Sequence, residues 1–138
     1  MKVLNLLLKL KRIFLMNNIN SEEDIDNLCT VLKDRFGKVT DEMIIYMHEE
    51  WFEKQAKSLN IKETKQTKNY VEIVLPQYLS KQIDGEKLFF TAYEISKYFR
   101  FSYNNNQIHI YLDTIKLDKH FVYYLNDLLS VIIKDIKK

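Results

Sequence analysis

The sequence predicts an α+β domain in which a helical N-terminal segment is followed by a small β-sheet packed against helices, in the order ααα-β-α-β-β-α. Apolar residues recur at helical spacing in most segments, and short runs elsewhere alternate between apolar and polar residues. The chain contains only two glycines and one proline, which favours long, uninterrupted elements. Its 138 residues are enough for one ordinary domain with a buried core.

The first two predicted helices are separated by a polar stretch, NNIN. Leucine and isoleucine recur at helical spacing over residues 3–16, which predicts the first helix. Ser21 followed by Asp24 has the pattern of a helix N-cap with an acidic residue reaching back to it. A second helix is therefore predicted from Ser21 to Phe36.

The stretch LKDRFGKVT predicts a helix end, a tight turn and a helix start. Phe36 is the last residue of the apolar stripe, and Gly37 follows where helices favour a left-handed residue. Thr40 can cap the next helix. We therefore predict that Asp34, Arg35, Phe36 and Gly37 form a structural turn, in which Asp34 and Arg35 are either solvated or paired with a neighbour.

The third predicted helix, residues 41–59, has apolar residues on two sides. The predicted core stripe comprises Ile45, His48, Phe52, Ala56 and Leu59. On the other side Met43, Tyr46 and Met47 are predicted to be exposed, flanked by the acidic Glu50 and Glu53. An exposed Met/Tyr patch with an acidic rim is typical of a protein-binding face. The alternative is that the first helix covers this patch.

The remaining elements form the predicted sheet and its helices. KETKQTKN is predicted to be a linker, and YVEIVL, which Pro76 follows, is predicted to be a strand. Helical spacing returns through Leu88, Ala92, Ile95 and Phe99. FRFSY and QIHIYLD flank NNN, whose asparagines tolerate the positive φ of a hairpin turn. The last helix is predicted from about Asp118.

Charge and cysteine content exclude several classes of protein. A net charge of +2, from 21 basic and 19 acidic residues, gives no strong field for nucleic acid or an anionic membrane. The single cysteine, Cys29, excludes an internal disulfide and a multi-cysteine zinc site, so a reducing, cytoplasmic location is expected. Cys29 is predicted to be a buried, inert thiol. The N-terminal apolar stretch is too short and too charged to span a bilayer.

No catalytic motif is present in the sequence. Gly37 and Gly85 are the only glycines, which excludes both Walker A and the Rossmann fingerprint. HEEWF lacks the second histidine of a zinc-protease helix. His48 is predicted to pack in the core, His109 to make a cross-strand pair and His120 to be exposed. We therefore expect no catalytic residue, no metal and no cofactor.

The segment SKYFRFSYNNN interleaves aromatic and basic residues, as surfaces that bind single-stranded nucleic acid do. However, Phe99 and Phe101 alternate with Arg100 and Ser102, which is the pattern of a half-buried strand. Core packing is therefore the favoured interpretation, and a stand-alone nucleic-acid-binding domain is kept as the alternative function.

The order of LKDRFGKVTDEM, a long helix ending in AKSLNI, VEIVL and IDGEKLF resembles the C-terminal domain of bacterial transcription-repair coupling factor. That family has an Asp-Arg-Phe-Gly turn, a helix that closes on Leu-Gly-Ile and an α/β remainder. The resemblance covers about Ser21 to Leu129, leaving a poorly matched helical lead-in, residues 1–20, before a coupling-factor-like domain, residues 21–138. Thr40 stands where the family usually has proline, and Asn60 where it usually has glycine.

The resemblance implies a non-catalytic regulatory domain. Full-length proteins of the family are ATP-driven DNA translocases that remove stalled RNA polymerase and recruit the repair protein UvrA, and their motor lies upstream of this domain. The domain docks on the UvrB-like N-terminal module, hides its UvrA-binding surface and restrains the motor. The implied direct partner is that module, within one chain or in trans. UvrA and RNA polymerase are implied as indirect partners, with weak or absent DNA contact and no membrane contact.

Overall fold

The computed structural model describes residues 19–136, which form five helices and a four-stranded sheet. The chain divides into two compact units, residues 1–54 and residues 55–138. The predicted α+β class is confirmed. The first predicted helix, residues 3–16, lies outside the described residues. The predicted domain boundary at residue 20 stays a prediction.

The helix α1, Glu22–Phe36, begins with the predicted cap. The Ser21 hydroxyl accepts a hydrogen bond from the backbone N–H of Asp24, at 3.2 Å. The Asp24 carboxylate accepts one from the backbone N–H of Asn20, at 2.9 Å. Two N–H groups that the helix itself cannot satisfy therefore find side-chain partners, as in a capping box displaced by one residue.

The predicted turn between α1 and the helix α2, Asp41–Ser58, is confirmed at Gly37 and Thr40. Gly37 has φ of 81°, and its N–H donates to the Lys33 carbonyl at 2.9 Å. The Thr40 hydroxyl accepts from the N–H of Met43 at 3.2 Å. Phe36 was predicted to close the buried stripe, but its side chain is exposed because the core residues of α1 end at Leu32.

The end of α2 explains one departure from the family pattern. Asn60 has φ of 57°, the left-handed geometry for which glycine is usual. The N–H of Ile61 donates to the Ala56 carbonyl at 2.9 Å, and this bond satisfies a carbonyl in the last turn of the helix. Asn60 therefore adopts the left-handed conformation for which glycine is usual at this position.

The core of the first unit packs α1 against α2. Its buried residues are Ile19, Ile25, Leu32, Met43, Met47 and Trp51. The buried positions of α1 and α2 recur at intervals of seven and four residues, as expected for one face of each helix.

The second unit holds the sheet and the remaining helices. The strands are β1 (Glu63–Gln66), β2 (Tyr70–Val74), β3 (Phe99–Asn104) and β4 (Gln107–Asp113). The helices are α3 (Gln77–Gln82), α4 (Gly85–Ile95) and α5 (Phe121–Ile136). All strand pairs are antiparallel, in the order β1-β2-β4-β3.

Three local predictions in this unit are wrong. β1 occupies part of the predicted linker, α3 was not predicted, and the helix predicted to run through Phe99 ends at Ile95. Phe99 instead begins β3. The predicted hairpin turn is confirmed, because Asn105 and Asn106 have φ of 55° and 63°.

One face of the sheet is apolar and belongs to the core. The buried strand residues are Val71, Ile73, Phe99, Ile108, Ile110 and Leu112. They alternate along each strand with more exposed residues, so the opposite face is polar. The amphipathic helices α4 and α5 contribute further buried residues, which are Leu88, Ala92, Val122, Leu125, Leu128, Leu129 and Ile132.

Two buried hydrogen-bonded groups join helices and strands within this unit. The Gln55 side-chain amide donates to the side-chain oxygen of Asn126 at 3.0 Å, and the Ser130 hydroxyl donates to Gln55 at 2.9 Å. The hydroxyl of Ser80, on α3, accepts from the backbone N–H of Ile108 at 3.0 Å. Because buried polar groups are costly without partners, these bonds constrain how the elements meet.

Candidate functional site

The predicted Met/Tyr binding patch does not exist as an exposed surface. Met43 and Met47 are fully buried in the core of the first unit, and Tyr46 is half-buried against that core. Because α2 is apolar on both sides, its sequence does not show which side faces α1, and α1 packs on the methionine side. Glu50 is half-buried and Glu53 is exposed, and their predicted role in partner binding stays a prediction.

Each of the three histidines makes a contact that contributes to the fold. His48 is buried, with its ring 6.0 Å from the Trp51 ring, which confirms the predicted packing. His109 makes the predicted cross-strand contact, with Glu72. His120 was predicted to be exposed, but it is half-buried and precedes α5, where its Nδ1 accepts from the N–H of Val122 at 3.1 Å. This bond satisfies one of the free N–H groups at the helix start.

Cys29 has the features of an inert thiol. The side chain is half-buried, and burial, aided by the nearby carboxylate of Asp26, raises the pKa of the thiol. Among residues 19–136, no group of three or more His, Cys, Asp or Glu side chains could hold a metal ion. Within the same range, no helix combines the length and apolar character needed to cross a bilayer.

The polar face of the sheet carries a continuous set of interacting side chains. They lie on the three neighbouring strands β2, β4 and β3, on the side opposite the buried residues. We call this surface the polar sheet face, and its members are Tyr70, Glu72, Arg100, His109, Tyr111 and Asp113.

Arg100 and Asp113 form one end of the polar sheet face. The Arg100 Nε and Nη2 donate to the two carboxylate oxygens of Asp113, both at 2.9 Å. This two-point contact is the strong geometry for an arginine–carboxylate pair, and it raises the pKa of Arg100. The guanidinium carbon also lies 5.1 Å from the centre of the Tyr111 ring. Ion pairing and the cation–π contact therefore fix the guanidinium in place.

Tyr111 connects this pair to the other end of the polar sheet face. Its ring stacks with His109 at 6.5 Å and meets Tyr70 edge-on at 5.7 Å. His109 Nδ1 lies 2.9 Å from a carboxylate oxygen of Glu72. The hydrogen bond with His109 is the main reason that the pKa of Glu72 lies below its ordinary value. All six side chains therefore belong to one chain of contacts.

This arrangement suits binding better than chemistry. Arg100 is paired with Asp113, and Glu72 contacts His109, whose other ring nitrogen, Nε2, is buried. Tyrosine and arginine are enriched in protein–protein interfaces. Sequence reasoning noted His109 as a cross-strand residue and Arg100 as a basic residue of SKYFRFSY, but it did not bring the two together. The alternation of YVEIVL and QIHIYLD contained the rest of the signal, which becomes readable once strand order is known.

A second surface lies where α4 meets the edge strand β3. We call it the aromatic edge, and it comprises Phe89, Phe90, Tyr93, Phe101 and Tyr103. Phe101 is half-buried and the other four side chains are exposed. The Phe89 ring lies 6.1 Å from the Phe90 ring and 5.9 Å from the Phe101 ring. Phe89 therefore joins Phe90 on α4 to Phe101 on β3.

The aromatic edge bears on the nucleic-acid alternative. Phe99 is buried, as the core interpretation of SKYFRFSY predicts. The Arg100 charge is paired with Asp113. The interleaved aromatic and basic residues therefore do not form one surface, because alternation along β3 places them on opposite faces of the sheet.

Comparison with known proteins supports the fold. No protein-family model matches the sequence, and no curated protein matches it. The structure is similar to the crystal structure of the C-terminal domain of transcription-repair coupling factor, with a TM-score of 0.67 and 13% sequence identity. The match covers 88% of this chain and 76% of that chain. At this identity the likeness concerns the fold alone: this chain has the fold of the coupling-factor C-terminal domain.

Proposed function

We propose that this chain is a non-catalytic interaction domain of the coupling-factor type, acting in the cytoplasm in transcription-coupled DNA repair. Its proposed partner is the UvrB-like module of a coupling factor, in the same chain or in trans. Docking there covers the UvrA-binding surface of the module and restrains the DNA-translocase motor. The fold supports the domain type, and the sequence resemblance around residues 34–37 supports the docking role.

The polar sheet face is the observation that carries this proposal. Its rings and charged groups are held in place before any partner arrives, so binding would cost little side-chain entropy. The Arg100 and Asp113 side chains are 54% and 40% exposed, so a partner can reach them. Arginine and tyrosine are among the residues that most often carry the binding energy of protein interfaces.

The charge balance of the polar sheet face favours a protein partner over nucleic acid. Arg100 is paired with Asp113, and Glu72 adds a second carboxylate to the same surface. Nucleic-acid affinity depends on cations that are free to replace the counterions of phosphates. A surface with paired charges and two carboxylates lacks that source of affinity.

A secondary contact is proposed on α2. Glu53 is exposed, and Tyr46 and Glu50, seven and three residues earlier on the same helix, are half-buried. The buried Met43 and Met47 are excluded from this contact. Because exposed charges are screened by salt, binding through these acidic residues should weaken as the salt concentration rises.

A titration tests the docking proposal. The full chain, carrying a fluorescent label, is titrated with the isolated UvrB-like module while anisotropy is followed. We expect a Kd at or below about 50 µM, a range suited to a domain interface that must open and close. Arg100→Ala should weaken binding about tenfold or more. Lys116→Ala removes the same charge from an exposed position on a loop and should change the Kd by less than about twofold.

Several results would overturn the proposal. Absence of binding with about 100 µM module, at both low and moderate salt, contradicts docking. An equal loss in Arg100→Ala and Lys116→Ala shows a general charge effect and removes the polar sheet face from the interface. Displacement of the module by single-stranded DNA identifies a nucleic-acid surface instead. Circular dichroism of both variants checks that the fold is retained.

A further inference from the structure

The two edges of the sheet differ sharply in surface chemistry. At one edge, β1 has four residues, all exposed and polar, including Glu63 and Lys65. Short, charged strands are how proteins prevent an edge from pairing with another strand. At the other edge, β3 has six residues and one charged side chain, Arg100, which is already paired with Asp113. The β3 edge therefore lacks the protection that β1 has.

The backbone of β3 is available for pairing at two residues. Antiparallel pairs alternate between residues that exchange hydrogen bonds and residues that do not. The N–H of Asp113 donates to the Tyr98 carbonyl, so the even-numbered residues of β3 bond to β4. Phe101 and Tyr103 therefore direct their N–H and C=O groups away from β4. Within residues 19–136, no strand pairs with this outer side.

Aromatic surface lies beside these backbone groups. Phe89, Phe90, Tyr93 and Tyr103 are 49%, 59%, 61% and 64% exposed. With about 200 Å² per aromatic side chain, these residues expose roughly 450 Å² together. Ring contacts join Phe89 to Phe90 and to Phe101, and apolar surface of this extent on a monomer is commonly a binding site. The patch amounts to more than half of the roughly 800 Å² that each partner buries in a stable interface.

We propose that the β3 edge pairs with the β3 edge of a second copy of this chain to form a symmetric dimer. One register pairs all the free N–H and C=O groups of Phe101 and Tyr103. In it, Phe101 of each copy lies opposite Tyr103 of the other copy. Ser102 then lies opposite Ser102 of the second copy at the twofold axis, and Arg100 lies opposite Asn104 of the second copy. The two four-stranded sheets become one continuous eight-stranded sheet, with the aromatic residues of both α4 helices at the junction.

The residues of the β3 edge favour pairing with a second copy of this chain over other partners. The register places no like charges opposite each other, because Arg100 meets an amide, so the strand is complementary to itself. Aromatic residues of one copy meet aromatic residues of the other, which adds stabilisation beyond the area buried. In the dimer the two β3 edges pair with each other, and the protected β1 edges form the two ends of the eight-stranded sheet. The assembly therefore closes as a dimer and does not grow into a filament.

Sedimentation of the full chain over a range of concentrations tests the proposal. We expect a monomer–dimer equilibrium with a Kd of about 10–100 µM. Tyr103→Lys and Phe90→Lys, each at the aromatic edge, should raise the Kd at least about tenfold, because they place charges in the apolar junction. Ile115→Lys is the matched control: it changes a 72% exposed apolar residue outside the edge and should leave the Kd unchanged.

Amide hydrogen exchange adds a residue-level readout. In the concentrated sample, the amides of Phe101 and Tyr103 should exchange at least about tenfold more slowly than in the dilute sample. The amides of Arg100 and Ser102, already bonded to β4, should not change. This alternation along one strand is specific to edge pairing, because burial by an unrelated surface would slow exchange without a two-residue period.

Four outcomes would overturn the dimer: a monomer at every concentration up to about 500 µM, association that survives Tyr103→Lys, association that Ile115→Lys weakens equally, or binding of single-stranded DNA by a monomeric edge. The dimer does not rest on the proposed docking function. Tyr103→Lys should leave the titration with the UvrB-like module unchanged, so failure of either proposal can be recognised separately.

Discussion

Replacing Gly37 with alanine isolates the free-energy cost of one backbone conformation. Gly37 ends α1 with φ of 81°, and a Cβ atom added there would meet no atom within 4 Å. The substitution therefore creates no clash, and its cost comes from placing an L-residue in the left-handed region. That cost is about 1–2 kcal/mol, and the larger value corresponds to a decrease in Tm of about 10 °C for a small unit.

The chain provides its own control, since it has one other glycine. A Cβ atom at Gly85, the first residue of α4, also meets no atom within 4 Å, and its φ is not positive. Gly85→Ala should therefore stabilise the protein by about 0.5 kcal/mol, because alanine has less freedom to lose on folding. Gly37→Asn should cost less than Gly37→Ala, because asparagine tolerates this geometry, as Asn60 does at the end of α2.

Urea unfolding followed by two probes measures these effects. Trp51 is the only tryptophan and is buried in the first unit, so its fluorescence follows the unit that contains Gly37. Far-UV circular dichroism follows the helices of both units. The reasoning is refuted if both alanine variants shift the midpoint in the same direction, or if Gly37→Asn is less stable than Gly37→Ala.

Three further predictions concern stability. Met47→Ala should lower the free energy of unfolding, measured in urea, by about 2–5 kcal/mol, because the side chain is fully buried. A loss below about 0.5 kcal/mol would contradict this burial. Ser80→Ala should cost about 1–3 kcal/mol, because it leaves the N–H of Ile108 without an acceptor, and Ser80→Thr should retain part of that stability. The lowered pKa of Glu72 means that its carboxylate stabilises the fold above its ordinary pKa of 4.5, a contribution lost as pH falls through the lower folded value. Unfolding midpoints of Glu72→Gln should accordingly fall less between pH 6 and pH 3 than those of the wild type, and parallel pH profiles would contradict the His109–Glu72 bond.

Local turn chemistry explains what the sequence could predict. Ser21, Gly37 and Thr40 act through hydrogen bonds and backbone angles within a few residues, so their structural roles are visible in sequence. The hairpin at Asn105 and Asn106 is predictable for the same reason. Such signals do not depend on which other element packs nearby.

The missed features depend on tertiary partners. β1 has no buried residue, so its sequence lacks the alternation of a half-buried strand, and it is a strand only because it pairs with β2. Met43 and Met47 were assigned to the surface because α2 is apolar on both sides, and the choice between sides was made by α1. The aromatic edge was missed because Phe99, Phe101 and Tyr103 form one stripe in sequence, although burial falls steadily along it towards the hairpin.

The two proposed surfaces differ in how each would contribute to binding. The charged groups of the polar sheet face are already paired, so docking there neither gains a new ion pair nor leaves a charge stranded. Its fixed hydrogen-bonding groups around Tyr111 would set specificity, and Arg100 would add affinity through its contact with the partner. The aromatic edge contributes apolar area and free backbone groups, which supply affinity but little selectivity beyond strand register. The two surfaces share Arg100, which belongs to the polar sheet face and lies opposite Asn104 in the dimer register, but their other residues differ. Substitutions at those other residues should therefore change one contact with little effect on the other.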